Sequence, residues 1–244
     1  MPLPLRGFSA AWIMDCELVI FDCDGVLVDS EPTMNQILTT ALGLQGLNLT
    51  NEETRYHFKG LSNPDSLEMA NQLLGRELPD NFMDTQDQVA LEALQMNLRP
   101  DTAQVAVVEK IVSTGTLICV ASNGLRHIVQ AKLEAVGLLT LFRDRVYTAE
   151  DVARGKPSPD ILLLACSELE IEPSRSLVLE DSQAGLDGAQ AAGAMTVQFG
   201  PTGTIGPPSE RHFGSIQNFR ELLSILGFAQ HQIIPMNPLS RTDD

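Results

Sequence analysis

Two aspartates, Asp22 and Asp24, stand two residues apart at the end of an apolar run, Leu18-Val19-Ile20-Phe21, and are followed by Gly25. In an extended segment, residues i and i+2 point to the same side, so both carboxylates reach one small volume. Two like charges that close need a cation or a shared proton. A cation bound by several oxygens and waters suits Mg²⁺ better than Zn²⁺. The carboxyl left without direct metal contact is expected to have a raised pKa, making one group a nucleophile and the other a general acid.

The run Leu18–Phe21 is too short for a helix and has no polar face, which predicts a strand of a parallel sheet covered on both sides. Ligands of such sheets bind beyond the carboxyl ends of the strands, where Asp22 and Asp24 stand. Two further apolar strands end in the same way. Thr116–Ala121 runs into Ser122-Asn123-Gly124, and Ser176–Leu179 runs into Glu180-Asp181. Ser122 is read either as a helix N-cap or, with adjacent N–H groups, as a phosphate holder. Between them, Lys156 precedes Pro157 and Pro159, which predict an extended, rigid approach to a helix and a fixed cation. The small-residue helix from Ala184 to Ala194 is expected to pack closely on the sheet. Met195–Phe199 is a further strand, and Ile216–Leu226 is expected to hold a last strand and helix.

The stretch from about 33 to 99 differs, with a helical apolar period and no β-branched run. Ser30 and Pro32 read as a capped helix start. Leu67, Met69, Ala70, Leu73 and Leu74 form one stripe ending at Gly75, and Val89, Leu91, Leu94, Met96 and Leu98 suggest another. The loop holding Lys59, Gly60, Ser62 and Asn63 lies between helices and is a candidate substrate contact. The expected organisation is a doubly wound parallel α/β sheet made of residues 1–32 and 100–244, with an all-α cap inserted over 33–99. Residues 1–15 and 232–244 are read as flexible. Right-handed crossovers gather Asp22, Asp24, Ser122, Lys156, Glu180 and Asp181 in one crevice. Four carboxylates together call for a divalent metal.

The 244 residues carry 16 Lys and Arg against 32 Asp and Glu, a formal net charge of −16, with no basic run. That argues against nucleic acid or anionic membranes as partners and leaves a small anionic substrate held by a local positive field. Cys16, Cys23, Cys119 and Cys166 lack paired spacing and read as free thiols of a cytoplasmic protein, and the four scattered histidines give no zinc pattern. No apolar run approaches the roughly 20 residues of a membrane span, and the first residues lack a secretory signal pattern. A monomer or weak homo-oligomer is expected.

Four ordered motifs, FDCDGVLVDS at 21–30, ASNG at 121–124, GKPSPD at 155–160 and LEDSQAG at 179–185, resemble the haloacid dehalogenase superfamily of phosphohydrolases, in its branch with a helical cap. The resemblance implies that Asp22 is the nucleophile forming an aspartyl-phosphate and that Asp24 protonates the leaving alcohol and then activates water. It further implies that Ser122 and Lys156, with Asn123 and Gly124 beside them, hold the phosphoryl oxygens. Mg²⁺ would be held by Asp22, the backbone carbonyl of Asp24, and Asp181 with Glu180 close by. The dehalogenating members lack the second aspartate, so Asp24 favours phosphate chemistry. KGLSN at 59–63 also resembles β-phosphoglucomutase, but Asn63 stands where the mutase pattern has Arg and Met34 where it has His. Hydrolysis of a small sugar phosphate or phosphorylated sugar acid is therefore preferred to mutase chemistry. Receiver domains share the aspartate, lysine and Mg²⁺ but lack a cap and a second acid.

Overall fold

The computed structural model describes residues 16–200 and 211–228. The expectations for 1–15, for 232–244 and for most of the Gly/Pro-rich loop 200–208 fall outside them. Six parallel strands form one sheet: β1 Leu18–Phe21, β2 Leu117–Ser122, β3 Val146–Thr148, β4 Ser176–Glu180, β5 Met195–Phe199 and β6 His212–Ile216. Their order is β3-β2-β1-β4-β5-β6. The order reverses between β1 and β4, where Leu18 pairs with Ser176 and Phe21 with Leu179. A crevice opens beyond the strand ends at that reversal.

Alternation along the strands divides the core in two. Val19, Phe21, Ile118, Val120, Leu177 and Leu179 face one layer, while Leu18, Ile20, Cys119, Ala121 and Val178 face the other. Helices cover both faces, so the central strands β1, β2 and β4 are buried on both sides, as their apolar runs require. All four cysteines are free thiols, and three of them are buried.

The stretch from 31 to 97 holds four helices: α1 Glu31–Leu44, α2 Asn51–Phe58, α3 Asn63–Leu74 and α4 Phe82–Asn97. They bury a cluster of their own around Leu42, Phe58, Ala70, Phe82 and Met83. Thr50 begins α2 with a reciprocal capping box to Glu53, and Gly75 ends α3 at φ +66°, the left-handed stop that the sequence marks. The rest of the α layer is α5 Thr102–Ser113, α6 Arg126–Ala135, α7 Leu139–Phe142, α8 Asp160–Glu168, α9 Gln183–Ala192 and α10 Phe219–Ile225. No helix among the described residues is long and apolar enough to cross a membrane.

Several local expectations change. Ser30 precedes α1 but makes no side-chain cap, because its hydroxyl donates to Asp24 instead. In α4, Leu91 and Leu94 are buried, whereas Val89 and Met96 are 47% and 76% exposed. Positions 89 and 96 lie seven apart on the opposite face of the helix, so only part of the expected stripe is core. The last strand lies at His212–Ile216, ahead of the expected stretch, and only its final residue falls within Ile216–Leu226. The peptide bond between Lys156 and Pro157 is cis rather than part of a simple extended approach.

Candidate active site

β1 ends in hydrogen-bonded order, with Asp22 N–H donating to Leu179 O at 3.0 Å. The chain then doubles back: Leu27 and Val28 N–H both donate to Cys23 O at 2.9 Å, and Gly25 adopts φ +81°. A Cβ on Gly25 would lie 2.3 Å from Asp181 Oδ2. Glycine is therefore required both for the turn and for the room beside that carboxylate.

Asp22 is buried and accepts from Lys156 Nζ at 2.8 Å, and the same ammonium donates to Glu180 Oε2 at 2.7 Å. Burial and then the charge of Glu180 push the Asp22 carboxyl well above the usual range, more than Lys156 pulls it down. Asp24 behaves in the opposite way. Burial raises it, but the ammonium of Lys132 at 2.7 Å from Oδ1 and the Ser30 hydroxyl outweigh that and hold it below the usual carboxylate value. The expectation of a raised pKa on the carboxyl without metal contact is thus corrected for the free protein, and the cause is Lys132. That residue is only 2% exposed.

Lys132 was not among the expected site residues. It sits on α6 four residues after Ile128, on the buried face that also presents Val129 and Leu133. A lysine on the apolar stripe of a helix is the signal that points to it, since a buried ammonium requires a carboxylate partner.

Ser122 is the last residue of β2 and is not a helix cap: α6 starts after Leu125 with no side-chain cap. Its hydroxyl is buried and accepts from Gly124 N–H at 3.1 Å. Both residues line the crevice. The Asn123 side chain clamps the Lys156 backbone, accepting from its N–H at 2.7 Å and donating to its carbonyl at 2.9 Å, with a longer contact to Gly60 O at 3.3 Å. Asn123 thus fixes the lysine loop with the amide expected to touch phosphate.

At the end of β4, Glu180 is almost fully buried and both its oxygens are engaged. Oε1 accepts from Asp181 N–H, Ser182 N–H and the Ser182 hydroxyl at 3.2, 3.1 and 2.8 Å, while Oε2 accepts from Lys156. α9 approaches closely here, as its small residues suggest. A Cβ on Gly185 would fall 2.0 Å from Glu180 Cδ, and one on Gly188 would fall 3.2 Å from the carbonyls of Pro157 and Ser158. Burial and Glu180 raise the Asp181 carboxyl to about 6 despite Lys59.

Asp22, Glu180 and Asp181 offer carboxylate oxygens that all lie within 4.8 Å of one another. Three hard oxygen donors of like charge beside a space kept clear by Gly25 fit a small divalent cation such as Mg²⁺. The Asp24 carboxylate is engaged with Lys132 and Ser30, outside this group.

The helical insertion closes over the crevice, forming a cleft of about 210 Å³. Lys59 Nζ bridges to Asp181 Oδ2 at 2.8 Å and to Glu31 Oε2 at 3.1 Å, and Arg55 Nε meets Glu31 Oε1 at 2.6 Å. Lys59, Gly60 and Asn63 line the cleft. Ser62 does not: its hydroxyl accepts from Asp65 N–H at 3.3 Å and donates to Asp65 Oδ2 at 2.6 Å, capping α3. Asn63 Nδ2 donates to Asp84 Oδ1 and Asp87 Oδ2, both at 2.8 Å. Glu31, Arg55 and Asp87 are lining residues that sequence spacing did not single out.

The family model described as haloacid dehalogenase-like hydrolase matches residues 16–193. The chain is 27% identical over 192 residues to 6-phosphogluconate phosphatase of Escherichia coli, covering 75% of this chain and 82% of that protein. It is 27% identical over 223 residues to N-acetylmuramic acid 6-phosphate phosphatase of Pseudomonas aeruginosa, covering 87% and 96%. Among solved structures, a conserved haloacid dehalogenase-like protein of Agrobacterium tumefaciens superposes with a TM-score of 0.65 at 29% identity, covering 86% of this chain and 97% of that one.

Proposed function

Because the chain belongs to the haloacid dehalogenase-like hydrolase family, we propose that it is a Mg²⁺-dependent phosphomonoester hydrolase acting on a small sugar phosphate or phosphorylated sugar acid. The Escherichia coli and Pseudomonas aeruginosa relatives are phosphatases of 6-phosphogluconate and of N-acetylmuramic acid 6-phosphate. The observation that carries the reading is the arrangement at the switch point. A buried nucleophile candidate, Asp22, shares the Lys156 ammonium with Glu180, while its neighbour Asp24 is held apart on Lys132.

In this reading a carboxylate oxygen of Asp22 attacks phosphorus, the bond from phosphorus to the substrate alcohol oxygen breaks, and an aspartyl-phosphate forms. Asp24 delivers a proton to the departing oxygen. Its low pKa in the free protein means that this proton is taken up with the substrate, whose phosphoryl charge raises the pKa again. Once the alcohol has left, Asp24 accepts a proton from the attacking water, phosphate is released and Asp22 is regenerated. Ser122, Gly124 and Lys156 hold the phosphoryl oxygens, with Asn123 fixing the lysine loop. Asp22, Glu180 and Asp181 would hold Mg²⁺, which when bound supplies positive charge to the transferring phosphoryl group.

The division into a core of residues 1–32 and 100–244 and a cap of residues 33–99 is part of the same reading. The cap's own cluster supports it, as does the Lys59–Asp181 ion pair that latches it to the core. Closure excludes water and brings the cap loop to the leaving group.

The test is phosphate release from a panel of sugar phosphates and phosphorylated sugar acids, with Mg²⁺ and after chelation. Mg²⁺-dependent release is the expected result. Negligible release, with isomerised sugar phosphate appearing when a bisphosphate primer is added, would establish the mutase instead.

A further inference from the structure

We propose that Asp87 is a specificity-determining residue of the cleft, accepting hydroxyl groups of an uncharged polyol leaving group and disfavouring leaving groups that carry a second anion. This rests on the phosphatase reading and narrows its substrate class to phosphates of neutral sugars and polyols, away from the phosphorylated sugar acids. Asp87 projects from α4 into the cleft that Asp24 and Lys132 line from the other side, and it lies within electrostatic reach of both. Asp24 is the group that meets the leaving oxygen, so the carbon skeleton beyond that oxygen passes beneath Asp87.

The side chain there is held in place. Asn63 spends one amide donor on Asp87 Oδ2 and the other on Asp84 Oδ1, fixing a carboxylate where a leaving group needs a partner. A fixed carboxylate accepts O–H donors in short, charge-assisted hydrogen bonds. Met34, Leu38 and Met83 supply apolar surface in the same cleft for the C–H faces of a polyol.

Charge points the same way. Among the described residues, six carboxylates line the cleft against four cations, and every one of those cations already meets a carboxylate. Lys156 holds Asp22 and Glu180, Lys132 holds Asp24, and Lys59 and Arg55 converge on Glu31. A bound divalent ion alone brings this set to neutrality, so the first phosphoryl group already adds net negative charge to the cleft. A second phosphate or a carboxylate at the far end of the substrate would face Asp87 with no unengaged cation among the described lining residues to pair with.

The experiment measures kcat/KM for glucitol 6-phosphate, 6-phosphogluconate and glucose 1,6-bisphosphate with the wild-type chain, Asp87→Asn and Asp87→Ser. Thermal unfolding confirms that each variant is folded, and p-nitrophenyl phosphate serves as a general substrate for the wild type. The wild type is expected to favour the neutral polyol by about tenfold or more, a difference of about 1.4 kcal/mol. Both variants are expected to lose roughly tenfold on the neutral substrate and to narrow or reverse its advantage over the anionic two. A wild type that hydrolyses the anionic substrates as well as the neutral one overturns the proposal, as do variants that lower all three by one common factor. No phosphate release from any substrate, p-nitrophenyl phosphate included, overturns the hydrolase reading itself and this proposal with it.

Discussion

Lys132 Nζ lies 2.7 Å from Asp24 Oδ1 across 108 residues of sequence, joining the buried face of α6 to the loop after β1. The two partners are unequally exposed, the Lys132 side chain at 2% and that of Asp24 at 37%. Removing either one therefore has different consequences. Asp24→Asn strands an ammonium in the core and is expected to cost about 3 kcal/mol or more. Lys132→Met leaves a carboxylate that keeps Ser30 and some water, and is expected to cost about 1 kcal/mol. Urea unfolding of both variants checks the order, and equal losses would contradict it.

The carboxylate cluster predicts an interplay of pH and metal. The folded-state pKa values of Asp22 and Asp181 are raised, that of Asp181 to about 6. The folded state thus binds these protons more tightly than the unfolded one, and their contribution to stability is lost as pH rises through that range. Above it, a divalent ion is expected to take the place of the protons. Mg²⁺ is expected to raise the unfolding temperature more at about pH 7.5 than at about pH 5, where protons compete. Melting curves at both pH values, with and without millimolar Mg²⁺, give the comparison. An equal shift at both would show that the ion does not bind these groups.

Close packing of α9 on Glu180 gives a steric prediction. Gly185→Ala places a methyl group 2.0 Å from the Glu180 carboxyl carbon, which must move and carry Lys156 with it. A loss of about 2 kcal/mol or more and of about 10²-fold in kcat is expected. Gly75→Ala is the control. That residue also has positive φ, but nothing lies within 4 Å of its Cβ position, so only the backbone penalty of about 1 kcal/mol applies and activity is retained. Parallel activity and unfolding assays separate the two, and an active Gly185→Ala would contradict the packing argument.

Much of this site is legible in the sequence because it is written at strand ends. Asp22, Ser122 and Glu180 each close an apolar run, and parallel pairing of β1 with β2 and β4 brings those ends together. Residues whose role depends on a helix face or a loop contact are less visible. Lys132 resembles a solvated lysine until the burial of its face is known. Asn123 reads as a phosphate contact, whereas only the tertiary approach of the 155–157 loop turns its amide onto the Lys156 backbone. Ser62 and Ser30 are alike in sequence, each just ahead of a proline-containing helix start, yet one caps its helix and the other serves Asp24. The edge strand β6 is missed because His212, Gly214 and Ser215 interrupt its apolar pattern, and pairing with β5 creates it.

The central claim is that Asp22 carries the phosphoryl group. Acid quenching during turnover of a sugar phosphate with Mg²⁺, followed by borohydride reduction of any acyl phosphate and peptide mass analysis, reads that step directly. The account predicts reduction at Asp22 alone, absent without substrate and absent in Asp22→Asn, which also loses phosphate release. Phosphate release that persists in Asp22→Asn, or an acyl phosphate found on another carboxylate, would contradict it.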